Sequence, residues 1–557
     1  MIYDRNCPRL DRSQKLSSLF DPYLWPIAES IVAKAGKRRK KDAVENVKTA
    51  LSVILFNLLR AHALHPSRCV QIYLGNNGYK KGQFNPYQLG IRAVRKVVDY
   101  LTGSTPSLAY KRGGNFGVEL GKGYTTIVMA SDSLITSIDD YINKSICNEY
   151  IPINRNTFET NKYIAIRDIA FDRANLPIIR LRKGSSKDGS EFEEFQHTTE
   201  TLAMEASLHR YNSFISDIRL NLFVSEKEMA SLADQTKSGF DEFGRPSSAS
   251  PLIDLVSGKS LHRIFNYRRF DQGGRFYGGF WQNVPKAYRR FITINGMPTV
   301  EVDFSNMQLA MLYAKVGQQL EGDAYILDGF GQEFRDLVKT TTLKMINAQG
   351  HIEAPLRSKL PEGVSWKDLQ EAVLAKHKPI AKFFRSGEGI RLQRQDSDIA
   401  EDVIMTMMDT GVPVLPVHDS FIVTEGYADE LSATMLDAYR QRMGGWTISL
   451  KHSRSLFDDL LADQEELHGD ERHSLGMKLF LAKREAPEYE GYRLREKLLG
   501  HAKTDSSGKN TEIRLGDRTG NAPDEPIPEI GPSAGTAYSG GNWLLDSAKR
   551  LWDRFVA

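Results

Sequence analysis

The stretch from Val412 to Gly426, VPVLPVHDSFIVTEG, sets two apolar, β-forming runs on either side of His418 and Asp419. Apolar runs interrupted by two polar residues predict a β-hairpin with that pair at its turn. The turn then carries a carboxylate among valine, leucine, phenylalanine and isoleucine. Burying an ionised Asp419 there costs several kcal/mol unless a cation or donor compensates. A second stretch, TVEVDFSN, ends a β-type run on Asp303, just before the helical pattern MQLAMLYAKVG. A strand end holds a side chain rigidly while letting it face a cleft. Each aspartate by itself reads more simply as a turn or cap carboxylate. Brought together, the two repel unless metal ions neutralise them.

Between them lies GQEFRDLVKTTTLKMINAQG, a predicted helix on which Arg335 and Lys339 stand four residues apart on one face. A forked guanidinium and a point-charge ammonium suit a nucleoside triphosphate, shielding its charge as pyrophosphate leaves. Without the flanking aspartates the pair reads as a solvated basic stripe. Phosphoryl transfer uses two hard cations about 3.5–4 Å apart, one activating the attacking hydroxyl and one stabilising the leaving phosphate. A His-Asp pair also marks HD phosphohydrolases, but that site sits on helices and needs further histidines.

Several segments resemble known polymerases. VEVDFSNMQLAMLYA resembles motif A of family A DNA polymerases, RDLVKTTTLKMINA their motif B helix and VLPVHDSFIV their motif C, in the same order. FDQGGRFYGGFWQNVP resembles the glycine-arginine element of single-subunit phage RNA polymerases and, in part, a family A segment ending in Gln-Asn before Pro. GIRLQRQDSDIAEDV is similar to the glutamine-containing helix before motif C. The whole chain also resembles a bacterial and mobile-element group of polymerase-like proteins sharing GGRFYGG and LPVHDSF. The polymerase likeness covers about residues 265 to 460, under half the chain.

The resemblance implies a template-directed nucleotidyltransferase, with a DNA polymerase favoured over an RNA polymerase. Asp303, Asp419 and the Phe304 carbonyl would hold Mg²⁺, or Mn²⁺ in its place, while Arg335 and Lys339 hold the β and γ phosphates. Arg275, Tyr277, Gln282 and Gln393 become template and primer contacts, and His418 sits near the primer end. Two positions depart from the family pattern. Gln308 stands where family A has Glu, and Asn347 where the relatives carry Tyr; both are sugar-sensing positions, so deoxy or ribo preference stays open. The short spacing from motif A to motif B implies reduced fingers and an accessory replication protein. Two alternatives remain: a single-subunit RNA polymerase or primase starting without a primer, and a non-catalytic replication initiator that binds DNA.

The expected fold is α+β. A right hand of palm, fingers and thumb, with both aspartates on an antiparallel palm sheet, follows a winged-helix-like N-terminal domain. Residues 43–65 carry apolar side chains at helical spacing. NPYQLGIRAVRKVVDYLTG predicts a second helix with Asn85 as cap and Pro86 in its first turn. SLAYKRGGNFGVELGKGYTTIVMA then reads as a hairpin with a basic, glycine-rich tip. Helix followed by basic hairpin is the layout of a winged helix gripping duplex DNA. LPIIRLRKG is a further strand, residues 200–235 read as helical, and KSGFDEFGRPSSASP is a boundary. The resulting domains are 1–135 winged helix, 136–250 connecting region and start of thumb, 251–485 palm and fingers, and 486–557 a largely disordered tail ending in an amphipathic helix. No Asp-x-Glu precedes residue 250, which argues against a proofreading exonuclease. DNA binding joined to synthesis implies replication of a plasmid, phage or other mobile element.

Composition adds little to this. Net charge is only +4 over 557 residues, weak support for nucleic-acid binding, although Lys37–Lys41 form an unbroken basic run. Cys7, Cys69 and Cys147 are odd in number and far apart, against a disulfide framework or a zinc site and in favour of a reducing cytoplasm. No stretch reads as the roughly 20 apolar residues of a membrane span, and no membrane partner is expected.

Overall fold

A computed structural model describes residues 9–33, 41–64, 69–75, 79–103, 108–112, 126–146, 160–184, 192–235, 253–352, 354, 360–462 and 467–500. The first core forms around one long helix. Strand β1 (Gln14–Leu16) and helix α1 (Asp21–Ala33) lead into α2 (Lys41–Leu64), whose residues from Ala50 to Leu58 are all buried. By length and composition α2 is long and apolar enough to cross a membrane, but 78% of its most apolar window is buried inside the fold. A helix apolar on all sides has that setting in the centre of a core.

Strand β2 (Val70–Ile72), α3 (Ile91–Gly103), β3 (Ala109–Arg112) and β4 (Thr126–Ala130) follow, and the three strands pair antiparallel in the order β2-β4-β3. Periodicity predicts one apolar stripe of Ile91, Val94, Val97, Val98 and Leu101 on α3; the last four are buried, while Ile91 at the helix start is half-buried. Asn85 does not cap α3. Its carboxamide instead bonds both the N–H and the carbonyl of Leu89, closing a turn that contains Pro86, and the helix starts after Gly90. The hairpin tip at Gly113-Gly114 and the basic residues Lys37–Lys40 lie outside the described residues. Helices α4 (Asp132–Tyr141) and α5 (Thr160–Ala170) and strand β5 (Phe171–Arg173), which pairs with β1, complete this part. Its core runs from Leu16 to Ala170, across the boundary set at 135 from sequence.

The second and larger core begins with β6 (Ile179–Arg182), β7 (Phe192–Glu193) and α6 (Thr199–Ser216). The region 200–235, read as helical, is divided by a strand, β8 (Leu220–Leu222), before α7 (Glu226–Gln235). Strands β9 (His262–Asn266) and β10 (Arg269–Tyr277) join β6 and β7 in a sheet of order β10-β9-β6-β7. Then come α8 (Lys286–Arg289), β11 (Ile292–Ile294) and β12 (Met297–Phe304), with Asn295-Gly296 as the turn between the last two. Both turn residues have positive φ, the conformation for which Asn-Gly is suited.

Helices α9 (Met307–Lys315), α10 (Arg335–Asn347), α11 (Trp366–Lys376) and α12 (Gly389–Asp409) precede the hairpin β13 (Leu415–Val417) and β14 (Ser420–Thr424). After α13 (Ala428–Arg442), β15 (Leu450–His452) returns to β12. The central sheet has the order β13-β14-β12-β11-β8, with β15 on the C-terminal half of β12. Helices α14 (Leu456–Leu460), α15 (Gly469–Arg484) and α16 (Glu490–Gly500) build a third cluster in which Phe223 stacks on Tyr489. Residues 490–500, which the sequence groups with the tail, therefore bury Tyr492 and Arg495 completely. Residues 501–557, including the amphipathic stretch at the C-terminus, lie outside the described residues.

One buried cation fastens the β9-β10 hairpin to α12. Arg263 is fully buried, bonding Glu401 at 2.6 Å, Ser397 at 2.9 Å and the Gly274 carbonyl at 2.7 Å. Removing one partner of a buried pair strands the other. Arg263→Met is expected to cost about 3–5 kcal/mol in denaturant unfolding. Arg442→Met, which breaks an exposed pair with Asp402, should cost under about 1 kcal/mol.

Candidate active site

The hairpin forms as its sequence predicts. Val417 pairs with Ser420, leaving His418 and Asp419 as a two-residue loop. Only His418 of the two has positive φ, 61°. Glycine is usual there, and a non-glycine residue so placed stores about 1–3 kcal/mol that the surroundings must hold. The hold is on the preceding strand. The Pro416 carbonyl accepts from Trp281 Nε1 at 2.9 Å and from Gln282 Nε2 at 3.1 Å, and Trp281 is fully buried.

Strand β14 runs antiparallel to β12 with Asp303 opposite Ser420, and the Phe304 N–H donates to the Asp419 carbonyl at 3.1 Å. The end of this ladder sets Asp303 beside Asp419. Burial first, and then the Asp419 charge, push the Asp303 carboxyl up to about 7; Glu301 adds to the shift, while Lys286 and Lys339 oppose it. Behind the pair, Glu301 accepts from Ser420 Oγ at 2.6 Å and from Arg289 Nη1 at 2.9 Å. The neighbouring carboxylate on β12 thus has its own partners, whereas Asp303 is left beside Asp419.

Among the described residues no group of three or more His, Cys, Asp or Glu could hold a metal ion. The donor set is two carboxylates with adjacent backbone oxygens. Mg²⁺ is bound in this way, through one or two carboxylates with waters and substrate phosphates completing its shell. The like-charge strain on Asp303 is what a divalent cation would relieve, so the residues fit such an ion.

Helix α10 presents its cations to the same region. Arg335 Cζ and Lys339 Nζ lie 5.4 and 5.8 Å from the centre of the Tyr325 ring, and Lys339 is exposed. Arg335 also bonds Asp323 at 2.8 Å, so it is already partnered, whereas the Lys339 charge acts on Asp303. Gln308 and Asn347 meet: the Asn347 carboxamide donates to Gln308 Oε1 at 3.2 Å. A Cβ on Gly389 would come within 2.8 Å of the Asn347 Cα, so the close packing of α10 on the start of α12 requires glycine there.

Of the remaining predicted residues, Tyr277, Arg275 and Gln282 lie around the turn. The Tyr277 ring stands edge-on to His418 at 5.7 Å. Burial, reinforced by the Arg275 charge, pulls the His418 imidazole down to about 4, and its Nδ1 is buried without a partner among the described residues. Arg275 forks onto Asp396, with Nε 3.0 Å from Oδ2, and Gln282 additionally donates to the Phe276 carbonyl at 3.0 Å. Gln393 is half-buried near the start of α12, one turn before Asp396.

Four neighbours escaped sequence reasoning: Lys286, Glu301, Tyr325 and Asp396. Asp396 had a detectable signal, since it is the acidic residue in the apolar stripe of α12 formed by Leu392, Ile399, Val403 and Met407. Burial pushes its carboxyl up to about 6 despite Arg275, with Asp419 adding to the rise.

No protein-family model and no curated protein matches the chain. Among solved structures, the chain is similar to the POL domain of Pol1 from M. smegmatis in complex with DNA primer-template and dNTP, at 15% identity and a TM-score of 0.26. The match covers 41% of this chain and 51% of that one, so the chain spans about half the length of the structure it matches.

The folded pKa of Asp303 lies above its unfolded value of 3.8, so between about 4 and 7 the folded state binds more protons than the unfolded one. The metal-free protein is expected to lose stability as pH rises through that window and to lose no more from this group above it. Thermal unfolding across pH checks this: Asp303→Asn should remove that part of the slope. Added Mg²⁺ should raise the melting temperature more on the alkaline side of the window than on the acid side.

Proposed function

We propose that the chain is a template-directed nucleotidyltransferase, a DNA polymerase by preference, that joins nucleotides through two-metal phosphoryl transfer at Asp303 and Asp419. The observation that carries this reading is the pairing of β12 with β14, which brings two aspartates from distant segments together within reach of the Lys339 charge. In this reading the central sheet is the palm, the region of α10 and α11 the fingers, and α6 and α7 part of the thumb. The strand order β2-β4-β3 beside α3 supports a winged-helix-like DNA-binding module, as expected for replication of a mobile element.

Asp303, Asp419 and the Phe304 carbonyl would hold Mg²⁺. When bound, the metal ions would activate the primer 3′ hydroxyl and stabilise charge on the leaving pyrophosphate. The chain's own residues position the reactants. Lys339, exposed and facing the carboxylates, takes the triphosphate; Arg335 joins it by exchanging Asp323 for phosphate. The neutral His418 imidazole, whose buried Nδ1 has no partner among the described residues, is able to accept or donate one hydrogen bond at the primer end. Tyr277 and Gln282 keep that turn in place, and Gln393, on α12, would contact the primer-template. The Gln308–Asn347 bond joins the two sugar-sensing positions, so the choice between dNTP and rNTP falls to this pair.

Extension of a labelled primer on a template with Mg²⁺ tests the reading. Asp303→Ala and Asp419→Ala should each lower incorporation by roughly 10²–10³-fold or more without loss of folding. Lys339→Ala should raise KM for the nucleotide more than it lowers kcat. Unchanged synthesis by either aspartate variant refutes the site. Synthesis from rNTPs on an unprimed template would assign the chain as an RNA polymerase or primase. DNA binding without incorporation under any nucleotide condition would assign it as an initiator.

A further inference from the structure

The sheet β10-β9-β6-β7 has two unlike faces. Alternate residues of a strand point to opposite sides, and Ile179 and Leu181 of β6 are buried in the large core. Arg180 and Arg182 therefore point the other way. Registers extend that second face: Arg182 pairs with Phe192, Arg180 with Ile264, and His262 with Tyr277. Directly paired residues share a face, so Arg180 and Arg182 lie on the same side of the sheet as Phe192, Ile264, His262 and Tyr277.

No carboxylate bonds these arginines directly among the described residues. Arg180 and Arg182 are half-buried, and among the described residues neither they nor Arg173 of β5 has an ion pair. Arg180 donates to the Pro177 carbonyl at 2.8 Å and Arg173 to the Ser257 carbonyl at 3.2 Å, bonds that fix the guanidinium groups without neutralising them. Arg182 and Arg180 also lie 5.1 and 5.9 Å from the centre of the Phe192 ring, which is stacked on Phe84 at 5.2 Å. Burial lowers the Arg180 guanidinium to about 10, with Asp11 opposing and Arg173 adding to the shift. Burial, and then the charges of Arg180, Arg173 and Arg182, hold His262 well below its ordinary value. Positive charge held half-buried with no directly bonded counter-charge is costly, and an anion would offset that cost. The face also leads to the aspartates: the His262 and Tyr277 rings are 6.3 Å apart, and Tyr277 is 5.7 Å from His418, the residue before Asp419.

We infer that this face is a track for a single-stranded nucleic acid, with Arg173, Arg180 and Arg182 on its phosphates and Phe192 and Tyr277 against its bases; its direction, toward Asp303 and Asp419, rests on the polymerase reading. Guanidinium groups and rings on one face bind single strands with little sequence preference, because every base has a π-face. A single strand bends into a half-buried face, whereas a duplex is stiff over about 150 base pairs.

The test is binding of a labelled oligothymidylate strand to the full chain, measured by fluorescence anisotropy over a range of salt. Replacing all three arginines (Arg173→Gln, Arg180→Gln, Arg182→Gln) should weaken binding about tenfold or more and reduce the log–log salt slope by about two, since each single-strand phosphate contact contributes roughly 0.7. The matching three lysine replacements should restore most of the slope, because a point charge suffices for counterion release. Arg440→Gln, at an exposed pair with Asp437 on α13, should change neither quantity. Wild-type protein should also photo-crosslink a 5-iodouracil strand at Phe192 or Tyr277, a readout that needs no variant to fold. Wild-type affinity and slope in the glutamine variant, or crosslinks confined to other segments, would overturn the inference. So would a blunt duplex that competes as well as the single strand. Asp419→Asn separates the two readings: it should bind the strand normally while failing to incorporate nucleotides. Normal incorporation by that variant removes the polymerase reading and leaves the arginine effect intact.

Discussion

Two carboxyl groups crowded at the end of one antiparallel ladder govern the arrangement around them. The backbone bonds between β12 and β14 fix Asp303 and Asp419 side by side, and neither strand can slip by one residue without turning its apolar set out of the core. The repulsion is therefore built in by packing that serves the whole domain. Neighbouring groups manage it in two ways: Arg289 and Ser420 absorb the charge of Glu301, and Lys286 and Lys339 face Asp303.

The second layer of control is the set of arginine–carboxylate ties between the β9-β10 hairpin and α12. Arg263 on β9 and Arg275 on β10 stand on neighbouring rungs of the hairpin, and they grip Glu401 with Ser397, and Asp396, respectively. Because α12 also packs on α10 through Gly389 and Asn347, the helix links the glycine-arginine element to the cationic helix. Such ties set position more than stability, since replacing a well-packed buried ion pair by apolar residues is often neutral.

Much of this was legible in the sequence, wherever local pattern and tertiary role coincide. The strand–acid–strand pattern gave the 418–419 turn because its apolar flanks really are buried, and the end of TVEVDFSN gave Asp303 its place for the same reason. Helix α10 and its Arg335–Lys339 spacing follow from periodicity. What escaped depended on partners far along the chain. Nothing local distinguishes Arg275 as the partner of Asp396, or Gln282 as a donor to Pro416. The short β8 strand is set by its pairing with β11, which overrides the helical pattern on either side, and α16 is ordered by burying Tyr492 and Arg495 against β8 and its neighbours. Asn85 misled because the same side chain that caps a helix also closes a turn.

Pro416 has a consequence for the company this sheet keeps. β13 is its outermost strand, and an exposed edge invites a strand of another molecule to continue the ladder. Proline has no N–H to offer an incoming chain, and the carbonyl that would receive one is already taken by Trp281 and Gln282. The contacts that hold the 418–419 turn also close the edge beside it, so the margin nearest the aspartates is protected from intermolecular β-pairing and the aggregation that follows from it.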